Sequence, residues 1–222
     1  MRVDAVVFDM DGLMIDTEAP VQACCQMAAS EMGFTLDDEF YVDALVGRGW
    51  DDCYEALSAR FGPVFSISEF VRRFNDKWKL HLRAGIEVKP GLRELLAMLR
   101  SRCVPIAVAT STDSDEAKAS LASARLTETF NAFVTGDQVK CGKPDPEIYL
   151  TAAACLGVSP RACVALEDSS PGALAASRAG MTTLLIPDGG RTPAAEASQA
   201  AFRVLPSLRE ARQLLEEWLN TC

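Results

Sequence analysis

Three short apolar runs, each broken off by acids or hydroxyls, constrain this chain more than any other feature. Ala5-Val6-Val7-Phe8 ends in Asp9-Met10-Asp11-Gly12, Ile106-Ala107-Val108-Ala109 ends in Thr110-Ser111-Thr112, and Cys163-Val164-Ala165-Leu166 ends in Glu167-Asp168-Ser169-Ser170. Continuous apolar runs of this length predict buried strands that open into loops. Between them lie segments with helical spacing: Leu92, Leu95, Leu96 and Leu99 follow the i, i+3, i+4, i+7 pattern of one buried face. Asp145-Pro146 offers an N-cap and first-turn proline with Gly157 as the stop, and Ser170-Pro171 and Gly180 bracket the next helix in the same way. Strands alternating with helices predict a doubly wound, parallel-sheet α/β core, in which ligands bind beyond the carboxyl ends of the strands.

Residues 17–84 break that alternation. They carry helical spacing and few strand-like runs, which predicts a helical domain inserted into a core formed by 1–16 and 85–222. Glycines 33, 47, 49 and 62 are expected at its turns. The 222 residues suffice for such a two-part organisation. At 49% hydrophobic and 24% charged, the composition is that of a folded globular chain.

Charge and cysteine content narrow the function. A net charge of −9 with scattered Lys and Arg would repel a polyphosphate backbone, so nucleic acid is not the expected partner. No apolar run approaches the roughly 20 residues of a membrane span, and the N-terminal stretch lacks a signal-peptide pattern, so a cytoplasmic protein is expected. The eight cysteines include no C-x-x-C pair and read as reduced packing residues. His81 is the only histidine, which excludes a His-rich metal site and a Ser-His-Asp triad. Acid–base chemistry must rest mainly on carboxylates.

Asp9 and Asp11 flank Met10 where the first strand ends, so extended geometry sends both carboxylates to one side and Met10 to the other, and Gly12 permits a tight turn. Asp-x-Asp-Gly is by itself a common turn sequence. Its weight comes from the other strand ends, where Thr110 and Ser111 supply a hydroxyl and backbone N–H groups and Glu167 and Asp168 add acids. Lys143, in Gly-Lys-Pro-Asp-Pro, supplies a fixed cation. Four carboxylates against one ammonium leave three net negative charges, which would repel a phosphate dianion. Hard oxygen ligands favour Mg²⁺, so a metal is expected.

In order and spacing, Asp9-Met10-Asp11-Gly12, Thr110, Lys143-Pro144 and Glu167-Asp168 resemble the four motifs of the haloacid dehalogenase superfamily. Asp11-Gly12-Leu13-Met14-Ile15-Asp16-Thr17-Glu18 and Leu166-Glu167-Asp168-Ser169 are similar to its branch holding β-phosphoglucomutase, phosphoglycolate phosphatase and sugar-phosphate phosphatases. The resemblance implies a Rossmann-like core with a helical cap, and a Mg²⁺-dependent phosphatase acting on a small phosphorylated metabolite. Asp9 would be the nucleophile and Asp11 the acid and base. Thr110, Ser111 and Lys143 would bind the phosphoryl group. The metal would be held by the Asp9 carboxylate, the Asp11 carbonyl and Asp168, with Glu167 direct or through water. Arg48 and Trp50, in a loop of the insertion, are expected to contact the leaving group.

Three rivals share parts of this pattern. Mutases of the branch carry a histidine where this chain has Val21, and an arginine in a cap loop where the aligned position is Trp50, with Arg48 displaced. A 2-haloacid dehalogenase needs neither metal nor Asp11. A phospho-accepting signalling module is a single small α/β domain, without the long insertion. Substrate identity and oligomeric state are not legible, with a monomer as the default expectation.

Overall fold

A computed structural model describes residues 2–46, 49–190 and 192–221. The chain divides into two compact units, 1–16 with 86–222 and 17–85. The first holds a six-stranded parallel sheet built from β1 (Ala5–Phe8), β2 (Ile106–Ala109), β3 (Ala132–Val134), β4 (Cys163–Glu167), β5 (Thr182–Leu185) and β6 (Arg203–Val204). The strand order is β3-β2-β1-β4-β5-β6. From β1 the chain steps outward to β2 and β3, then returns across the sheet to β4 on the other side of β1. Right-handed crossovers place the outgoing and returning connections on opposite faces. The reversal lies between β1 and β4, which pair with Phe8 opposite Leu166. At such a switch point the chain diverges to both faces and leaves a crevice beyond the strand ends.

The Ala5, Val7, Ala107, Ala109 and Ala165 side of the sheet buries Ile148, Tyr149, Ala152 and Ala153 of α7 (Glu147–Leu156) and Ala175 and Ala176 of α8 (Ser170–Arg178). Small residues on both surfaces let these helices approach closely. In α5 (Leu92–Ser101), Leu92, Leu95, Leu96 and Leu99 are all buried, and the helix packs against α10 (Leu208–Asn220). Each leucine contributes about 1.5–3 kcal/mol. Two boundaries differ from the sequence reading by one residue. Pro146 occupies the cap position of α7 and the Asp145 carboxylate accepts from the Glu147 N–H at 3.0 Å. Ser169, one position before Ser170, caps α8 by accepting from the Gly172 N–H at 3.1 Å.

The 17–85 unit contains α1 (Glu18–Ser30), α2 (Asp38–Ala44), α3 (Trp50–Phe61) and α4 (Ile67–Ala84). Its core is aromatic: the rings of Phe34, Phe61 and Phe65 lie 4.9 to 5.0 Å apart, and Phe70, Phe74 and Trp78 are buried. Glu31, just beyond α1, accepts from Arg73 and Lys77 of α4 and ties the two helices together. Gly33 and Gly62 take left-handed conformations at its turns, whereas Gly47 lies outside the described residues. Among the described residues no helix is long and apolar enough to cross a membrane, and no disulfide joins any two of the seven described cysteines.

Candidate active site

Asp9 follows β1 directly. Its N–H continues the ladder by donating to the Leu166 carbonyl at 3.0 Å, which fixes its side chain beside the end of β4. Met10 is wholly buried. The chain then turns: the Gly12 N–H bonds to the Ile15 carbonyl and the Met14 N–H to the Met10 carbonyl. Gly12 has φ +79, and a Cβ there would stand 2.3 Å from Asp168 Oδ2. Only glycine permits both the turn and the approach of Asp168.

The side chain of Lys143, the fixed cation expected from the sequence, is buried. Its ammonium donates to Asp9 Oδ1 and Glu167 Oε1, each at 2.5 Å, and its side chain is 6% exposed. Glu167 itself is saturated. Oε1 also accepts from the Tyr149 hydroxyl at 2.8 Å, and Oε2 accepts from the N–H groups of Asp168 (3.0 Å) and Ser169 (2.9 Å) and from the Ser169 hydroxyl (2.9 Å). A carboxylate has about four acceptor positions, and five donors occupy them. Gly172 makes room for this arrangement, since a Cβ there would fall 1.6 Å from Glu167 Oε1.

On the other side of β1, Thr110 is buried at the end of β2. Its hydroxyl donates to Asp11 Oδ2 at 3.2 Å and accepts from the Thr112 N–H at 3.1 Å, while the Thr112 hydroxyl donates to the same Asp11 oxygen at 2.7 Å. Two threonines therefore hold the Asp11 carboxylate. Ser111 is exposed beside them; its carbonyl lies 2.2 Å from where a Cβ on Gly136 would stand, so that glycine lets the loops after β2 and β3 touch.

Asp9, Glu167 and Asp168 can each place one oxygen so that the three lie within 4.8 Å of one another, a group able to hold a metal ion. Burial, with Glu167 and Asp11 nearby and only partly offset by Lys143, pushes the Asp9 carboxyl well above its ordinary range. Burial, then Asp9 and Glu167, does the same to Asp168. Burial alone would lower Lys143, but the Asp9 and Glu167 charges outweigh it and raise the ammonium instead. One lysine thus under-compensates the site. A buried excess of hard oxygen donors is the setting in which a divalent cation relieves repulsion.

Of the residues singled out in the sequence, Asp9, Asp11, Thr110, Ser111, Lys143, Glu167 and Asp168 all fall at the carboxyl end of this sheet. Arg48 lies outside the described residues. Trp50 opens α3 in the helical unit, its ring stacked on Tyr54 (5.7 Å between centroids) and edge-on to Phe74 (5.0 Å). Sequence reasoning missed Tyr149 and Thr112. Tyr149 reads as one more apolar position of α7, and only the packing of that helix on β1, β2 and β3 brings its hydroxyl to Glu167. The hydroxyl two residues after Thr110 was a legible signal for Thr112.

A family model described as haloacid dehalogenase-like hydrolase matches residues 6–186. The phosphorylated carbohydrates phosphatase of Thermotoga maritima is 36% identical over 217 residues, spanning 96% of this chain and 91% of the relative. A probable pseudouridine-5′-phosphatase of Drosophila melanogaster is 32% identical over 215 residues, 94% of this chain and 91% of its own. The crystal structure of a putative β-phosphoglucomutase from Thermotoga maritima matches with a TM-score of 0.84 at 30% identity, covering 97% of this chain and 99% of that one. Strand order, a buried acid cluster at the switch point, and relatives matched over nearly their whole length agree: the chain is an enzyme of the haloacid dehalogenase-like hydrolase family.

Proposed function

We propose that this enzyme is a Mg²⁺-dependent phosphatase that hydrolyses a small phosphate monoester, a phosphorylated sugar or similar metabolite, through an aspartyl phosphate on Asp9. The convergence of Asp9, Asp168, Glu167 and Lys143 at the switch point carries this reading. Asp9, buried and held by one lysine bond, attacks phosphorus as the bond to the ester oxygen breaks. Asp11 gives its proton to the departing alkoxide and then takes one from the water that attacks the aspartyl phosphate, which releases inorganic phosphate and restores Asp9. The Thr112 hydroxyl holds the Asp11 carboxylate in place for both transfers, while the Thr110 hydroxyl, with one proton to give, exchanges Asp11 for a phosphoryl oxygen when substrate binds. Thr110, Ser111 and Lys143 bind the phosphoryl oxygens, where fixed donors stabilise the charge of the transition state.

Mg²⁺ would be held by the Asp9 carboxylate, the Asp11 carbonyl and Asp168, with Glu167 direct or through water. When bound, it neutralises phosphate charge and polarises the phosphoryl group. Arg48 and Trp50 are assigned to the leaving group. Relatives named as carbohydrate and nucleotide-derived phosphatases favour a hydroxyl-rich leaving group. The mutase reading, raised by a putative β-phosphoglucomutase among the matching structures, is disfavoured by Val21, which offers no proton-transfer group to a sugar hydroxyl. Water is then the acceptor.

The test is phosphate release from a panel of phosphorylated sugars, phosphoglycolate and nucleotides. Activity is expected in millimolar Mg²⁺, with a fall of at least about 100-fold in EDTA and recovery on readdition. Full activity in chelator would contradict the metal assignment. Formation of glucose 6-phosphate from β-glucose 1-phosphate, with a trace of the 1,6-bisphosphate, faster than release of phosphate would contradict hydrolysis.

A further inference from the structure

Outside the motifs, one polar cluster of the sheet unit reaches the same crevice. Lys89 follows the segment that pairs with the chain leaving the first strand: Ile15 bridges Val88, the Asp16 N–H donates to the Glu87 carbonyl at 2.9 Å, and the Lys89 N–H to the Met14 carbonyl at 2.9 Å. From there the Lys89 ammonium reaches Asp188 Oδ1 at 2.6 Å and Asp16 Oδ1 at 3.2 Å. The two partners are not equivalent. The Asp16 side chain is 41% exposed and that of Asp188 15%. Asp188 lies just beyond β5, the neighbour of β4, and its second oxygen points the other way: a Cβ on Gly12 would meet Asp168 Oδ2 at 2.3 Å and Asp188 Oδ2 at 3.5 Å. The two carboxylates converge on the Gly12 turn, and Asp188 adds to the charge felt by Asp168. An acid placed there without purpose would only worsen the repulsion already present.

On the basis of the proposed Mg²⁺ site, we infer that Asp188 is a positioning residue for the cation, its carboxylate clamped through Oδ1 by Lys89 so that Oδ2 supplies charge and a hydrogen-bond acceptor to the outer face of the site beside Asp168. Carboxylates behind the direct ligands typically change metal affinity 10- to 100-fold. The lysine keeps this one in a single rotamer and offsets its charge in the protein without metal.

Calorimetric titration of the full chain with Mg²⁺ tests this. Asp188→Asn is nearly isosteric and is expected to raise the Mg²⁺ dissociation constant by about 10- to 100-fold, with little change in the melting temperature of the metal-free protein. Asp16→Asn removes the charge of the other partner of Lys89 and is expected to leave the constant within about two-fold. If Asp188→Asn does not fold, Asp188→Ser is read by the same titration. An unchanged constant in the Asp188 variant overturns the inference while leaving the proposed function standing, and so does equal weakening by Asp16→Asn. A lowered metal-free melting temperature with an unchanged constant would assign Asp188 to holding Lys89 alone. Absence of Mg²⁺ binding by the wild-type chain would remove the proposed metal site and this inference with it.

Discussion

Asp9→Asn is expected to lower turnover by about four to six orders of magnitude, because the amide keeps the shape of the side chain and loses the nucleophile. The same substitution should not destabilise the metal-free protein. Burial, with Glu167 and Asp11 close by, holds the Asp9 carboxyl above its ordinary range. A group shifted in that direction contributes stability only while protonated, and that contribution is lost as pH rises through its folded value. Wherever Asp9 carries its charge in the metal-free protein, burial makes that charge a cost, which the amide removes. Thermal melts in EDTA should show a melting temperature equal to or above that of the wild type. Activity above a few per cent of wild type, with deamidation excluded, would remove Asp9 from the reaction; a large fall in melting temperature would show that the Lys143–Asp9 pair is a net stabiliser.

Lys143→Met should have the opposite balance. The ammonium is the only cation bonded to Asp9 and Glu167 among the described residues, and its removal leaves three acids crowded together in a buried site. Breaking a buried pair by deleting one partner costs about 3–5 kcal/mol, on the order of 6–20 °C in melting temperature for a chain of this size. Methionine fills most of the lysine stem's volume, so the loss is electrostatic rather than a cavity. Turnover should fall by about 10²- to 10³-fold, as when one fixed donor to a transition state is removed. Mg²⁺ should recover part of the lost stability, since it brings positive charge to the same carboxylates. A melting temperature unchanged by the substitution would contradict this account of the site's electrostatics.

The contrast between these two variants separates what was legible in the sequence from what was not. The strands β1, β2 and β4 announced themselves because each is apolar throughout and ends abruptly in the residues that do chemistry. The edges of the sheet did not. β3 is three residues, Ala132 and Phe133 of them only half-buried; β5 begins Thr182-Thr183; and β6 is two exposed residues, Arg203 and Val204. Short, mixed segments of this kind become strands because a neighbour offers a free ladder edge, which no local pattern records. The leucine face of α5 was legible because its period is local.

Within the site, the acids could be placed at the right end of the sheet from the strand-end pattern alone. The burial of Lys143 could not, because it depends on a loop 134 residues away folding over Asp9. Lys89 and Asp188 lie 99 residues apart, and each reads in isolation as a solvated charge. Gly12, Gly136 and Gly172 carry the same lesson. Each stands where the backbone or an acid comes too close for a Cβ, which no turn pattern in the sequence records.

The central claim, that phosphate is carried on Asp9, is tested most directly by trapping it. Asp11→Asn removes the base needed for the second step, while nitrophenyl phosphate, whose leaving group needs little protonation, still allows the first. Mixing this variant with radiolabelled nitrophenyl phosphate in Mg²⁺ should give a burst of nitrophenol about stoichiometric with enzyme. After acid quenching and proteolysis, the label should sit on the peptide that contains residue 9. Nitrophenol release with no label on that peptide, or with label on another residue, would contradict the account.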